Sequence, residues 1–175
     1  MTKKISDVSI RQIASGNRQI EGFSSGIGET NEVIVGDNEI NNFCSIFLIP
    51  SDKDVYSTGS SGSSLTEYQL SFIFPGQRHH WKFEKSTSVH YFIIKKSIID
   101  KIPFLSSPSI NLLKQFPDIK LTTYEFDIVR YEFNNIHEEM NRLDKLEGII
   151  YSRIATIFAE TYRFIENRYV NNTNT

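Results

Sequence analysis

Little in this sequence could staple or anchor a fold. Its 175 residues include one cysteine, Cys44, so no internal disulfide can form. Met1 is followed by Thr-Lys-Lys with no apolar segment of the kind found in a secretory signal. No apolar run reaches the roughly 18 to 20 residues that a membrane helix requires. These absences predict a reducing, cytoplasmic setting with no membrane partner. Charge of one sign is also missing: 19 Lys and Arg against 21 Asp and Glu leave a net charge of −2, which gives no basic footprint for nucleic acid. The chain alone is therefore expected not to bind DNA.

Aromatic residues, by contrast, are plentiful. Thirteen Phe, eight Tyr and a single Trp within a hydrophobic fraction of 39% exclude a disordered chain. The length suits one domain with a real core. The segment Leu70 to Trp81, LSFIFPGQRHHW, concentrates this character. Leu70, Phe72 and Phe74 alternate with Ser71 and Ile73, the period of two that puts successive side chains on opposite faces of a sheet. Pro75 and Gly76 end that strand in a turn. Beyond it, His79, Trp81 and Phe83 share one face, and His80, Lys82 and Glu84 the other.

In chain order, residues 1–31 are polar and read as an N-terminal arm with at most short strands. Glu32 to Val35 and Asn42 to Pro50 read as β-like, the latter as the first clear strand, Asp54 to Ser57 as a shorter one, and Thr58 to Ser64 as a flexible loop. Ser88 to Ile94 is a further strand, separate from the one after the turn. The period then changes. Short helices are predicted at Lys96 to Ile102 and Ser109 to Phe116, each followed by a proline. Phe126, Val129, Phe133, Ile136 and Met140 place one apolar stripe on a helix from Glu125 to Arg142. A second helix, Leu146 to Tyr169, carries Ile150, Ile154, Ile157, Phe158, Thr161 and Ile165. Residues 171–175 form a polar tail or linker. The predicted fold is mainly β with C-terminal helices: an antiparallel barrel or sandwich over 32–94, and a helical region over 95–170 packed on it as one domain.

From Phe43 to about Arg163 the chain resembles the N-terminal, cupin-like effector-binding and dimerisation region of AraC-type transcriptional regulators. Pro75, Gln77, His79 and Trp81 match a Pro-x-Gln-x-His-x-Trp-like turn, Tyr91 to Ile94 match the following strand, and the two long helices match the rest. The resemblance implies a cupin-like jelly roll, a small-molecule effector and a homodimer. Two helix-turn-helix units usually follow in such regulators. None follows Thr175, so the chain is expected to be either a regulator's sensory half or a stand-alone relative, with DNA contacted only through a missing C-terminal domain.

Candidate pocket residues are the aromatic Phe43, Tyr56, Phe72, Phe74, Trp81 and Tyr91 with the polar Gln77 and His79. The ordinary reading of any one aromatic is barrel core; the sharper reading is that some line an apolar pocket and a few polar groups orient the ligand. No catalytic residue, metal or other cofactor is expected. His79 and His80 face opposite sides of a strand, and Asn41 to Pro50 offers no histidine to complete a cupin metal set. His137 and Glu138 begin a zinc-protease helix motif, but Asn141 stands where its second histidine belongs. Cys44 reads as a small buried hydrophobe. A small metal-dependent cupin enzyme and a stand-alone binding module are the alternatives. For the dimer, the last helix carries more apolar surface than one contact can bury, so Ile150, Ile154, Ile157, Phe158, Thr161 and Ile165 are the expected interface.

Overall fold

The computed structural model describes residues 22–35, 42–50, 55–57, 64–65, 68–77, 79–102 and 107–170. The first 21 residues, most of the Thr58 to Ser64 loop and the tail 171–175 lie outside these. Seven strands form one antiparallel sheet: β1 (Phe23–Val35), β2 (Phe43–Ile49), β3 (Val55–Ser57), β4 (Ser64–Leu65), β5 (Tyr68–Ile73), β6 (His79–Lys95) and β7 (Asp118–Leu121). The helices are α1 (Lys96–Ile99), α2 (Ser107–Gln115), α3 (Thr123–Asn141) and α4 (Glu147–Ile165), the last running into a π-helical turn, Glu166–Val170.

Everything pairs around β6. β1 lies along one edge for nearly its whole length, while β2 and then β3 follow the other. Leu48 faces His90 and Val55 faces Phe83, so β3 resumes the β6 ladder in the register that β2 left. β5 pairs with β2, and β7 with β5. The path β4-β3-β6-β2-β5-β7 is open, and no pairing joins its ends among the described residues.

The sheet nevertheless folds over. Phe47 pairs with Tyr91, and Trp81 precedes Tyr91 by ten residues, roughly 33 Å along a straight strand. Yet the Phe47 and Trp81 rings are 5.1 Å apart. The bend coincides with a register break: Thr30 pairs with Thr87, but Glu32 pairs with Lys82. A bulge of this kind bends a strand and sharpens its twist. It also switches the inward parity of β1. Gly26, Gly28 and Thr30 share a face with Tyr91, Val89 and Thr87 before the break, and Val33 and Val35 share it with Trp81 and His79 after it.

The outer face carries the helices. Cys44, Ile46, Leu48, Leu70, Phe72, Phe92 and Ile94 form one core with Phe126, Val129, Phe133 and Ile136 of α3 and the apolar side of α4. Phe158 meets Phe72 edge-on at 5.1 Å, and Phe133 lies 5.0 Å from Phe92. Thr122 caps α3 in a reciprocal box with Glu125, satisfying backbone donors at its start. No described helix is long and apolar enough to cross a membrane.

Four expectations change. The 13-residue β1 begins within the segment read as an arm, because its Ser, Gly and Glu residues obscure the alternation. The segments 79–83 and 88–94 belong to one 17-residue strand, since Lys85 to Thr87 pass through the bend without leaving it. The short edge strand β7, with burial alternating along Asp-Ile-Lys-Leu, was not anticipated. Finally, Ile150, Ile154, Ile157, Phe158, Thr161 and Ile165 are at most 1% exposed, so they cannot form the dimer interface assigned to them. The broad outer face of the sheet absorbs the stripes of both helices. The apolar side chains left outside on the pair and its joint are Tyr124, Tyr131, Leu143, Leu146 and Ile149.

Candidate functional site: the inner face of the folded sheet

Strand alternation gives the inner face its composition. β2 turns Phe47 and Ile49 inward, β5 turns Ile73, and β6 turns Trp81, Phe83 and Val89, with Tyr91 packed against them. The same parity puts Ser45, Gln69, Ser71 and His79 on this side. Its centre is aromatic: Trp81 lies between the His79 ring at 3.8 Å and Phe47 at 5.1 Å, and Tyr91 is 6.3 Å from Phe47. Gly26 makes room for Tyr91, since a Cβ there would fall 2.7 Å from the Tyr91 hydroxyl oxygen.

Polar groups on this face divide into two kinds. Gln69, Ser71 and Asp118 satisfy one another: Asp118 Oδ1 accepts from Ser71 Oγ at 2.6 Å and from Gln69 Nε2 at 2.8 Å, and Gln69 Nε2 also reaches Ser71 Oγ at 2.7 Å. Ser45 Oγ, His79 Nε2 and Trp81 Nε1 are buried with no hydrogen-bond partner. Trp81 Nε1–H is purely a donor, and an unsatisfied buried group costs about 1–3 kcal/mol. Burial pushes the His79 pKa below 6.5, Asp118 pulls against that, and the neighbouring His80 adds to the lowering. Burial also raises the Tyr91 hydroxyl pKa. Beside the Asp118 carboxylate, the face thus presents an aromatic surface with unmet hydrogen-bonding capacity.

That chemistry suits binding. Cys44 points to the outer face, and burial pushes its thiol up to about 12, far from a reactive thiolate. Among the described residues no group of three His, Cys, Asp or Glu side chains could hold a metal ion.

The sheet divides the expected pocket residues. His79, Trp81 and Tyr91 come together on the inner face. Phe72 and Phe74 belong to the outer core, where Phe74 also carries Lys114 5.6 Å from its ring centroid. Gln77 is exposed and closes the turn, its Oε1 accepting from the Phe74 amide at 2.8 Å while Gly76 takes φ +83°. Phe43 is half-buried opposite Lys95, and Tyr56 stands opposite Lys82 in β3, its side chain outside the described ones. Ser45, Phe47, Gln69, Ser71 and Asp118 are the additions. Alternation along NFCSIFLIP and YQLSFI could have placed the first four; Asp118 depends on β7.

No family model matches the sequence, and no curated protein matches it. Among solved structures the chain is similar to an apo ToxT variant from Vibrio cholerae strain SCE256, with a TM-score of 0.56 at 9% identity, covering 87% of this chain and 59% of that one. A P21 crystal form of Vibrio cholerae ToxT gives a TM-score of 0.41 at 10% identity, covering 85% of this chain and 58% of that one. The chain thus spans less than two thirds of the ToxT length, and the first likeness extends to the fold.

Proposed function

We propose that this chain is the ligand-sensing and dimerising domain of an AraC-type transcription regulator, the class to which ToxT belongs. In this reading the folded sheet acts as a cupin-like jelly roll in the cytoplasm, and its inner face takes the effector. The observation that carries the reading is the buried, partnerless set of Ser45 Oγ, His79 Nε2 and Trp81 Nε1 on an aromatic surface, within a fold shared with a regulator. The fitting ligand is a small organic molecule with an apolar body and an acceptor for the Trp81 Nε1 hydrogen. Catalysis has no place in this account. An effector that binds one arrangement of sheet and helices more tightly shifts the population toward it, and DNA is contacted by another part of the regulator.

The partner is a second copy of the chain. With the inner stripe of α4 consumed by the core, the contact is built from Tyr131, Leu143, Leu146 and Ile149. A mass of 20.2 kDa by light scattering at micromolar concentration would refute the dimer. For the effector site, a thermal-shift screen of small organic molecules is expected to yield stabilising compounds whose effect is lost in Trp81→Phe and His79→Ala. Stabilisation that persists in both variants would move the site elsewhere, and stoichiometric iron, manganese or zinc in the purified protein would favour a cupin enzyme instead.

A further inference from the structure

We propose that β7 is a tether coupling the inner face to the C-terminal π-turn, so that occupancy of the face is felt at Glu166–Val170. This deepens the sensing role proposed above, by naming how that same site is regulated and read out. β7 is four residues long and, among the described residues, pairs only with β5, which makes it a light element. It is nevertheless gripped from two sides. On the inner face, Asp118 holds Ser71 and Gln69, the residues beside Phe47 and Ile49 in the β2–β5 ladder. At the other side, Arg168 of the π-turn donates to the carbonyl oxygen of Lys120 and to the Glu125 carboxylate.

Glu125 is the second half of the joint. Its Oε2 also accepts from the Thr122 amide at 2.8 Å and the Thr122 hydroxyl at 2.9 Å, so the oxygen that receives Arg168 also fixes the start of α3. Tyr169 stacks on Phe116 at 4.8 Å, just before β7, and the Pro117 carbonyl accepts from the Phe72 amide at 2.8 Å. The π-turn is thus fastened to both ends of β7 and to the α3 cap. Charge-assisted bonds of this kind are the stronger ones. A ligand group competing for Asp118 or Ser71 would loosen the inner grip and, through Lys120 and Glu125, the Arg168 grip. Binding linkage requires the reverse as well.

Amide hydrogen exchange on the full chain, without any ligand, tests this through a double-mutant cycle of Asp118→Ala and Arg168→Ala. The expected result is that each single variant speeds exchange at residues 166–170 and in β7 by about tenfold, the scale of one lost charge-assisted hydrogen bond, and that the double variant is no faster than the quicker single. The amides of Phe133 and Ile154, in the helical core, should hold their rates and report that the fold persists. If Asp118→Ala unfolds, Asp118→Asn keeps the volume and is read in the same way, with a smaller change in the same segments. Overturning the tether takes either of two results: residues 166–170 indifferent to substitution at Asp118, or effects of the two substitutions that simply add. Because no ligand is involved, failure here leaves the effector site standing, and loss of that site would leave the tether standing.

Discussion

The two faces of one sheet are built to different standards. On the outer face, aliphatic and aromatic side chains from β2, β5 and β6 meet those of α3 and α4, and even the buried Thr161 hydroxyl is satisfied by the Ile157 carbonyl at 2.6 Å. On the inner face, a smaller cluster surrounds buried polar atoms that have no partner. The same backbone supplies both, since every strand contributes alternate residues to each side. The difference is one of degree: Ser25 Oγ, opposite Phe92, and His137 Nδ1 on α3 are also buried without a partner, whereas on the inner face three such atoms accompany the aromatic cluster.

The largest effect should come from the outer face. Phe158→Ala removes a fully buried ring from between α4 and Phe72 and is expected to cost about 3–5 kcal/mol in urea unfolding. A cost below about 1 kcal/mol would mean the helices are not packed on the sheet as described. Gly26→Ala addresses the inner face. Its new Cβ meets the Tyr91 ring, so a loss of about 1–3 kcal/mol is expected, most of it recovered by also replacing Tyr91 with leucine. A full loss that the second substitution leaves unchanged would mean the close approach is not what limits that position.

A third effect is pH-dependent and involves both faces. His79 on the inner face and His90 beside Phe133 have pKa values lowered chiefly by burial, with Arg130 and then His137 adding to the lowering at His90. A lowered folded pKa means the unfolded chain binds protons more readily, so stability is complete above 6.5 and declines as pH falls below it. Replacing both histidines with glutamine should flatten that decline; an unchanged slope would assign it to the carboxylates. Smallest of all is Ser45→Ala. Deleting a buried hydroxyl without a partner should leave stability within about 1 kcal/mol of the parent, tending upward. A clear loss would reveal a partner for Ser45.

How much of this was legible in the sequence follows the strength of each periodic signal. The stripes of α3 and α4 and the alternation of β5 carry apolar residues at nearly every position that faces the outer core, so those elements were readable. Of β1 the end, Glu32 to Val35, reads as β-like, but the stretch before the bulge does not, since its inward residues are Gly26, Gly28 and Thr30, which carry no hydrophobic period. The site was half readable. The pairing of His79 with Trp81 follows from two-residue spacing, but the register break that folds Trp81 onto Phe47 is a tertiary event with no local signature. The misassigned dimer face has the same origin: a stripe too wide for one helix contact looks identical whether a second chain or a broad sheet covers it.

Trp81 is the only tryptophan, so one indole N–H resonance reports on the inner face alone. In a proton–nitrogen correlation spectrum of the 15N-labelled chain, that resonance should lie upfield, as befits an N–H without an acceptor. It should move downfield on addition of any carbonyl- or hydroxyl-bearing compound that raises the melting temperature. A compound that stabilises the fold while leaving the indole resonance in place would contradict the assignment of the inner face as the ligand site.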